Sequence, residues 1–197
     1  MKFPAAVRKS VKHLSSEKFK KRVMSEDPTM WKHVGILKEI NHQGYITMDS
    51  QAGKHSKPTA EYDMWEKAYV FGFMLESKAG MFIKQMSLQT DKLAQVIHYS
   101  NEPGLYDNMP RALDIPLTIN KIDEKVQTHM SNLVPFEFWD ARRKELNIDA
   151  SEKIVYVMCY DLQWNRNASG PGGLFKDVLR VLRSINKSKT LKTKKQL

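Results

Sequence analysis

The chain has 197 residues, 41% hydrophobic and 27% charged, which suits one domain with a sizeable core and argues against wholesale disorder. Its one cysteine, Cys159, excludes an internal disulfide framework and a cysteine-built zinc site. The net charge of +10 is concentrated at the ends: residues 1–24 hold eight Lys/Arg and one acidic residue, 176–197 hold eight and one, and 25–175 hold 16 and 20.

In chain order, residues 5–24 have helical spacing. Val7, Val11 and Leu14 share a stripe, Ser15-Ser16-Glu17 restarts the helix, and Phe19 and Val23 continue it. The opposite face is Arg8, Lys9, Lys12, Lys18, Lys20, Lys21 and Arg22. Asp27-Pro28 then caps and opens a helix with Met30, Val34 and Leu37 inward, and Gly44 closes it in the left-handed region. Tyr45–Asp49 alternates as a strand, and Ser50–Thr59 reads as a loop. The continuous apolar run Ala68–Leu75 predicts a central strand buried on both faces.

Helix is predicted over 77–88. Residues 90–99 fit helix or strand equally, and 100–112 read as loop. Leu113, Ile115, Leu117 and Ile119 alternate as a strand, which Pro116 assigns to a sheet edge. Pro135–Leu146 reads as helix, Ile154–Tyr160 as a second central strand, and Leu174–Ile185 as an amphipathic helix. The expected organisation is a basic N-terminal helical segment (1–24), an α+β domain (25–185) with a mixed sheet and flanking helices, and a basic flexible tail (186–197). A small three-layer sandwich is compatible with this order. No segment reaches the roughly 18 apolar residues of a bilayer span, and the opening MKFPAAVRKSVKHL lacks a signal-peptide core. An intracellular protein of cytoplasm or nucleus is therefore expected.

Two blocks carry a resemblance. The first is Asn41-His42-Gln43-Gly44-Tyr45-Ile46-Thr47-Met48-Asp49-Ser50-Gln51-Ala52-Gly53, and the second is Glu66-Lys67-Ala68-Tyr69-Val70-Phe71-Gly72-Phe73-Met74. Together they resemble an uncharacterised domain family of large DNA viruses of amoebae and of some bacteria. Val155–Asp161, with Trp164 and Arg166, is similar to a later block of that family. The resemblance implies a shared fold and a viral, virion-packaged setting, and it transfers no activity.

The chemistry divides into three readings. Basic arms flanking a mildly acidic body suit phosphates, so a non-enzymatic protein binding nucleic acid or another polyanion leads. Its contacts would be Arg8, Lys9, Lys12, Lys18, Lys20, Lys21, Arg22, Lys187, Lys189, Lys192, Lys194 and Lys195. The alternative is a small enzyme or ligand-binding domain with a pocket of Asp49, Ser50, Gln51, Tyr69, Asp161 and Arg166 at the ends of two strands. The third reading is a structural or virion protein whose arms bind acidic proteins, with self-association also open. Asp49 with Glu76-Ser77-Lys78 imitates a metal-dependent nuclease, but such residues recur by chance in a highly charged chain. The glycine-rich 167–173 lacks a phosphate-loop fingerprint and reads as a connection. Ser50 with His55 has no third member of a triad. No histidine pair has metal-ligand spacing, and no catalytic residue, metal or cofactor is assigned.

Overall fold

The structure is a computed structural model that describes residues 1–57, 59, 61–98, 116–122, 125–130 and 136–194. Helix α1 (Phe3–Leu14) opens with Pro4 in its first turn, where a missing N–H costs nothing, and buries Phe3, Ala6, Ser10 and Leu14. Its backbone breaks at Ser15, and the Ser16 hydroxyl caps α2 (Glu17–Glu26) by accepting from Phe19 N at 3.1 Å. The restart expected at these serines is therefore present. Asp27 accepts from Thr29 N at 3.0 Å as predicted, but the segment it caps, Pro28–His33, is a 3₁₀ helix. The α-helix α3 (Val34–His42) begins only after it. Gly44 ends this helix at φ +91°, a conformation that costs glycine little.

The strands are β1 (Tyr45–Gln51), β2 (His55–Ser56), β3 (Tyr62–Leu75), β4 (Lys92–His98), β5 (Pro116–Ile122), β6 (Lys125–Met130) and β7 (Ile154–Trp164). Helices α4 (Glu76–Met86), α5 (Phe136–Glu145) and α6 (Leu174–Lys194) complete the order. The architecture is α+β, as expected. The sheet, however, is antiparallel at every hydrogen-bonded pair among the described residues, not mixed. Helix α4 carries the chain from β3 to β4, yet β7 inserts between those two strands, so neither meets a parallel neighbour.

Strand β3 begins six residues before its apolar run does, at Tyr62 instead of Ala68. Its second half pairs with β1 and β7, and its first half pairs with β2 and β5. Residues 62–65 lie half-buried and Glu66 and Lys67 are buried charges, so hydrophobicity does not reveal this half of the strand. Strand β5 lies between β3 and β6, not at the edge that Pro116 suggested. Proline is tolerated because it is the strand's first residue. The ambiguous 90s form β4, and α6 continues past Ile185 to Lys194 where a flexible tail was expected. The remaining sequence expectations for 100–112 and for Leu113–Ile115 lie outside the described residues.

Each face of the β1-β3-β7-β4 half is covered, giving three layers. Val70, Met74, Val157 and Cys159 pack with Leu37 and Ile40 of α3, Phe82 of α4, and Phe175, Val178 and Leu182 of α6. On the other face Ile46, Phe71, Phe73, Tyr156, Met158 and Tyr160 pack with Phe3 and Ala6 of α1 and with Ile148. Each such side chain, fully buried, contributes about 1.5–3 kcal/mol. Gly72 is fixed by close approach: a Cβ there would stand 2.0 Å from the Ile46 carbonyl oxygen across the β1–β3 pair.

One buried amide joins three elements. Asn41 Oδ1 accepts from the Ser10 hydroxyl of α1 at 2.8 Å and from Thr47 N of β1 at 3.1 Å. Its Nδ2 donates to Leu37 O and to Thr47 Oγ1, both at 2.8 Å. All four hydrogen-bonding positions of the amide are used. Asn41→Ala is expected to cost about 2–3 kcal/mol in urea unfolding, because buried donors and acceptors on α1 and β1 lose their partner. Asn41→Asp should cost as much at neutral pH, since Leu37 O would then face an acceptor. A loss below about 0.5 kcal/mol for both variants, the range of ordinary surface changes, would contradict this role.

Candidate functional site

Strand β1 pairs only with β3 among the described residues, so its other side is an edge. Along that edge runs a groove of about 680 Å³, walled by α1, α2, the start of α3 and the end of α5. This volume is in the usual range for small-molecule sites. Thr47, Asp49, Ser50 and Gln51 line its strand side, so three of the six predicted pocket residues belong to it. Leu14, Phe19, Val23, Val34 and Leu37 make its apolar wall. The helix wall was invisible in the sequence, because nothing local shows that α1 and α2 lie beside β1.

The polar floor centres on Glu66 and Lys54. Glu66 is only 8% exposed, and no hydrogen bond reaches its buried Oε2. Lys54 Nζ stands 3.7 Å from that oxygen and 2.9 Å from Asp27 Oδ2. Burial raises the Glu66 pKa against the opposing pull of Lys54. Asp49 is exposed by surface area, yet enough protein surrounds its carboxyl that desolvation raises its pKa too. Tyr69 donates to Asp49 Oδ2 at 3.3 Å, which places a fourth predicted pocket residue beside the groove. Arg142 and Arg22, from α5 and α2 on opposite walls, both lie close enough to stabilise the Asp49 carboxylate.

Asp161 and Arg166 do not join this pocket. β1 and β7 both run antiparallel to β3, so Asp49 and Asp161 reach the same end of the sheet. Their faces differ, however. Asp49 stands with Tyr69 and Phe71, whereas Asp161 alternates with Cys159 on the opposite face. There it belongs to a network in which the fully buried Lys92 lies 2.9 Å from Asp91, 3.4 Å from Asp161 and 3.7 Å from Asp177. Arg166 pairs with Asp91 and lies 3.7 Å from Asp161 Oδ1. Its hydrogen bond to Asp91 chiefly holds that carboxyl down at a pKa of about 2. These charges pair with one another, though Lys92 Nζ and Asp161 Oδ2 make no hydrogen bond, and they tie β4, β7 and α6 together, which is a structural role.

The other sequence candidates fall out similarly. The N–H groups of Ser169, Gly170, Gly173 and Phe175 donate within the segment 167–175, so the glycine-rich turn presents no anion cradle there. His55 stacks on Trp65 and meets Asp63 Oδ1 at 2.5 Å, apart from any triad. Glu76 follows the β3 residues that face the start of β1, far along the sheet from Asp49. No group of three or more His, Cys, Asp or Glu among the described residues could hold a metal ion. No described helix is long and apolar enough to cross a membrane.

Arg8, Lys9, Lys12, Lys18, Lys20, Lys21, Arg22 and Lys187 are all exposed. Lys20 lies over Trp31 at 5.6 Å and Arg22 over Phe19 at 5.3 Å, which anchors their stems. Lys9 Nζ donates to Glu145 O at 3.0 Å. The side chains of Lys189, Lys192 and Lys194, and all of Lys195, lie outside the described residues. α2 packs on the 3₁₀ helix before α3, through Lys20 and Trp31, whereas Asn186 of α6 bonds Gln43 at the far end of α3. No protein-family model and no curated protein matches the chain.

The raised Glu66 pKa gives a pH prediction with a definite sign. A carboxyl raised on folding costs stability as pH climbs from its unfolded value through its folded one. Glu66→Gln removes that cost. The variant should therefore melt above the parent at pH 7, by roughly 2–4 °C per kcal/mol released, and match it below pH 4. Thermal melts at the two pH values would show it, and a variant less stable at pH 7 than at acid pH, relative to the parent, would contradict it.

Proposed function

We propose that the protein binds nucleic acid, or a polyanion of similar charge density, through phosphates gripped by the outer faces of α1 and α2. The supporting observation is that Arg8, Lys12, Lys18 and Lys21 stand exposed there with no acidic side chain among the described residues pairing them. Unpaired cations keep their charge available for phosphate, and their counterions are released on binding. His13 reports the field locally. Its pKa is lowered first by burial and then by the neighbouring Arg22 and Lys18. A neutral imidazole at the same corner leaves the arginines and lysines to carry the charge at pH 7.

Contacts of this kind position a phosphate backbone without reading sequence, so binding is non-enzymatic and of low sequence specificity. Lys187 is exposed on α6, which meets the C-terminal end of α3 through Asn186 and Gln43. The resemblance of residues 41–53 and 66–74 suggests a packaged protein of a large DNA virus as the setting. Acidic protein partners would meet the same cations and are the competing outcome.

Changing Arg8, Lys12, Lys18 and Lys21 together to Glu should abolish retention of a fluorescent DNA duplex and an RNA at low salt. For the parent, affinity should fall steeply with salt, with a slope of about −0.9 per phosphate neutralised on duplex DNA. Because all four side chains are solvent-facing, the melting temperature should stay close to that of the parent. Unchanged binding by the quadruple variant would overturn the assignment.

A further inference from the structure

The groove beside β1 has a charge arrangement that the phosphate-gripping face does not use. Its lip carries Lys9, Arg22 and Arg142, set against Glu26, Glu145 and the Asp49 carboxylate that both arginines reach. Its floor holds the buried carboxylate of Glu66, whose Oε2 lacks a hydrogen-bond donor. Between them stand apolar side chains, including Phe19, Met30 and Met48. A ligand that satisfies all three zones is anionic at one end, flat and apolar-faced in the middle, and a hydrogen-bond donor at the other.

We infer that this groove is a site for one nucleotide, with its phosphate at the Arg22–Arg142 lip and an amino-bearing base directed at Glu66. The inference deepens the phosphate-binding reading and rests on it for the class of ligand. Adenine, cytosine and guanine carry an exocyclic amino group that a carboxylate oxygen can accept from, as carboxylates do with cytosine. Uracil offers only an N–H flanked by carbonyl oxygens, which a carboxylate repels. The groove's 680 Å³ accommodates a nucleotide and is closed on one side by β1, so a paired base within a duplex does not reach the floor. The base must come from a free nucleotide or from an unpaired strand, where unstacked bases expose their pairing edges.

Isothermal titration of the full chain with AMP, adenosine, UMP, a 5′-phosphorylated penta-adenylate and a blunt duplex separates these cases. AMP should bind at least about tenfold more tightly than adenosine, through charge-assisted phosphate contacts, and about tenfold more tightly than UMP. Tighter binding of the penta-adenylate than of AMP assigns the site to an unpaired strand, and the reverse assigns it to the free nucleotide. Glu66→Gln should erase most of the AMP-over-UMP preference, with circular dichroism confirming that it folds. Arg22→Ala with Arg142→Ala should erase the AMP-over-adenosine gap. No heat with AMP or the penta-adenylate, or an AMP-over-UMP preference that survives Glu66→Gln, overturns the site. Duplex binding that persists while AMP fails removes the groove and leaves the α1–α2 face. AMP binding that persists in the variant with Glu at 8, 12, 18 and 21, when duplex binding is already absent in the parent, supports the groove and removes that face.

Discussion

The position of the N-terminal helices depends on one buried amide. Asn41 binds α1 through Ser10, its own helix through Leu37, and β1 through Thr47. The other polar anchors of α1, Phe3 N to Glu152 Oε2 at 3.1 Å and Lys9 Nζ to Glu145 O at 3.0 Å, reach residues outside the sheet, and its apolar contacts are not directional. The amide sets the register between helix and strand edge, and so sets the width of the groove. The same bonds carry the exposed cations of α1 and α2 to the mouth of that groove. Stability and the candidate site are therefore linked through a single side chain.

A second constraint comes from Tyr45, the first residue of β1. Its ring is fully buried, and its hydroxyl lies 2.9 Å from Val70 O and 2.8 Å from Val157 O. A buried tyrosine needs such partners, because an unpaired hydroxyl would offset much of the gain from burying the ring. With Gly72 permitting close approach, this pins β1 to β3 and orients Asp49, Ser50 and Gln51 along the free edge. The groove thus has one wall fixed by Asn41 and the other by Tyr45 and Gly72. Within it Glu66 remains under-satisfied, held only loosely by Lys54. Lys92 Nζ and Asp161 Oδ2 also lack a hydrogen bond, but each has a charged partner within 3.4 Å, whereas the nearest cation to Glu66 Oε2 is Lys54 at 3.7 Å.

Much of the architecture was legible because it follows local rules. The serine cap of α2, the Asp27 cap, the glycine after α3 and the apolar runs of β3 and β7 each announce themselves in a few residues. What local rules miss is which neighbour a strand takes. The mixed sheet failed because β7 inserts between β3 and β4, and the edge role of Pro116 failed because a strand's first residue needs no N–H. The candidate site was half legible for the same reason. Asp49, Ser50 and Gln51 mark a strand end, but face and partner depend on register. Register puts Asp161 on the opposite face, where Lys92 and Arg166 engage it. Glu66 was missed because its neighbours in sequence look like an ordinary half-buried strand. The signal available was a carboxylate two residues before an apolar run, where an acid is costly unless paired.

The most direct check on the account is an amide chemical-shift map of the isotope-labelled chain titrated with a short 5′-phosphorylated single strand. Perturbations are expected to be confined to α1, α2, the Thr47–Gln51 edge of β1 and the vicinity of Glu66. Perturbations centred on α4 and α6, with α1, α2 and β1 silent, would contradict it.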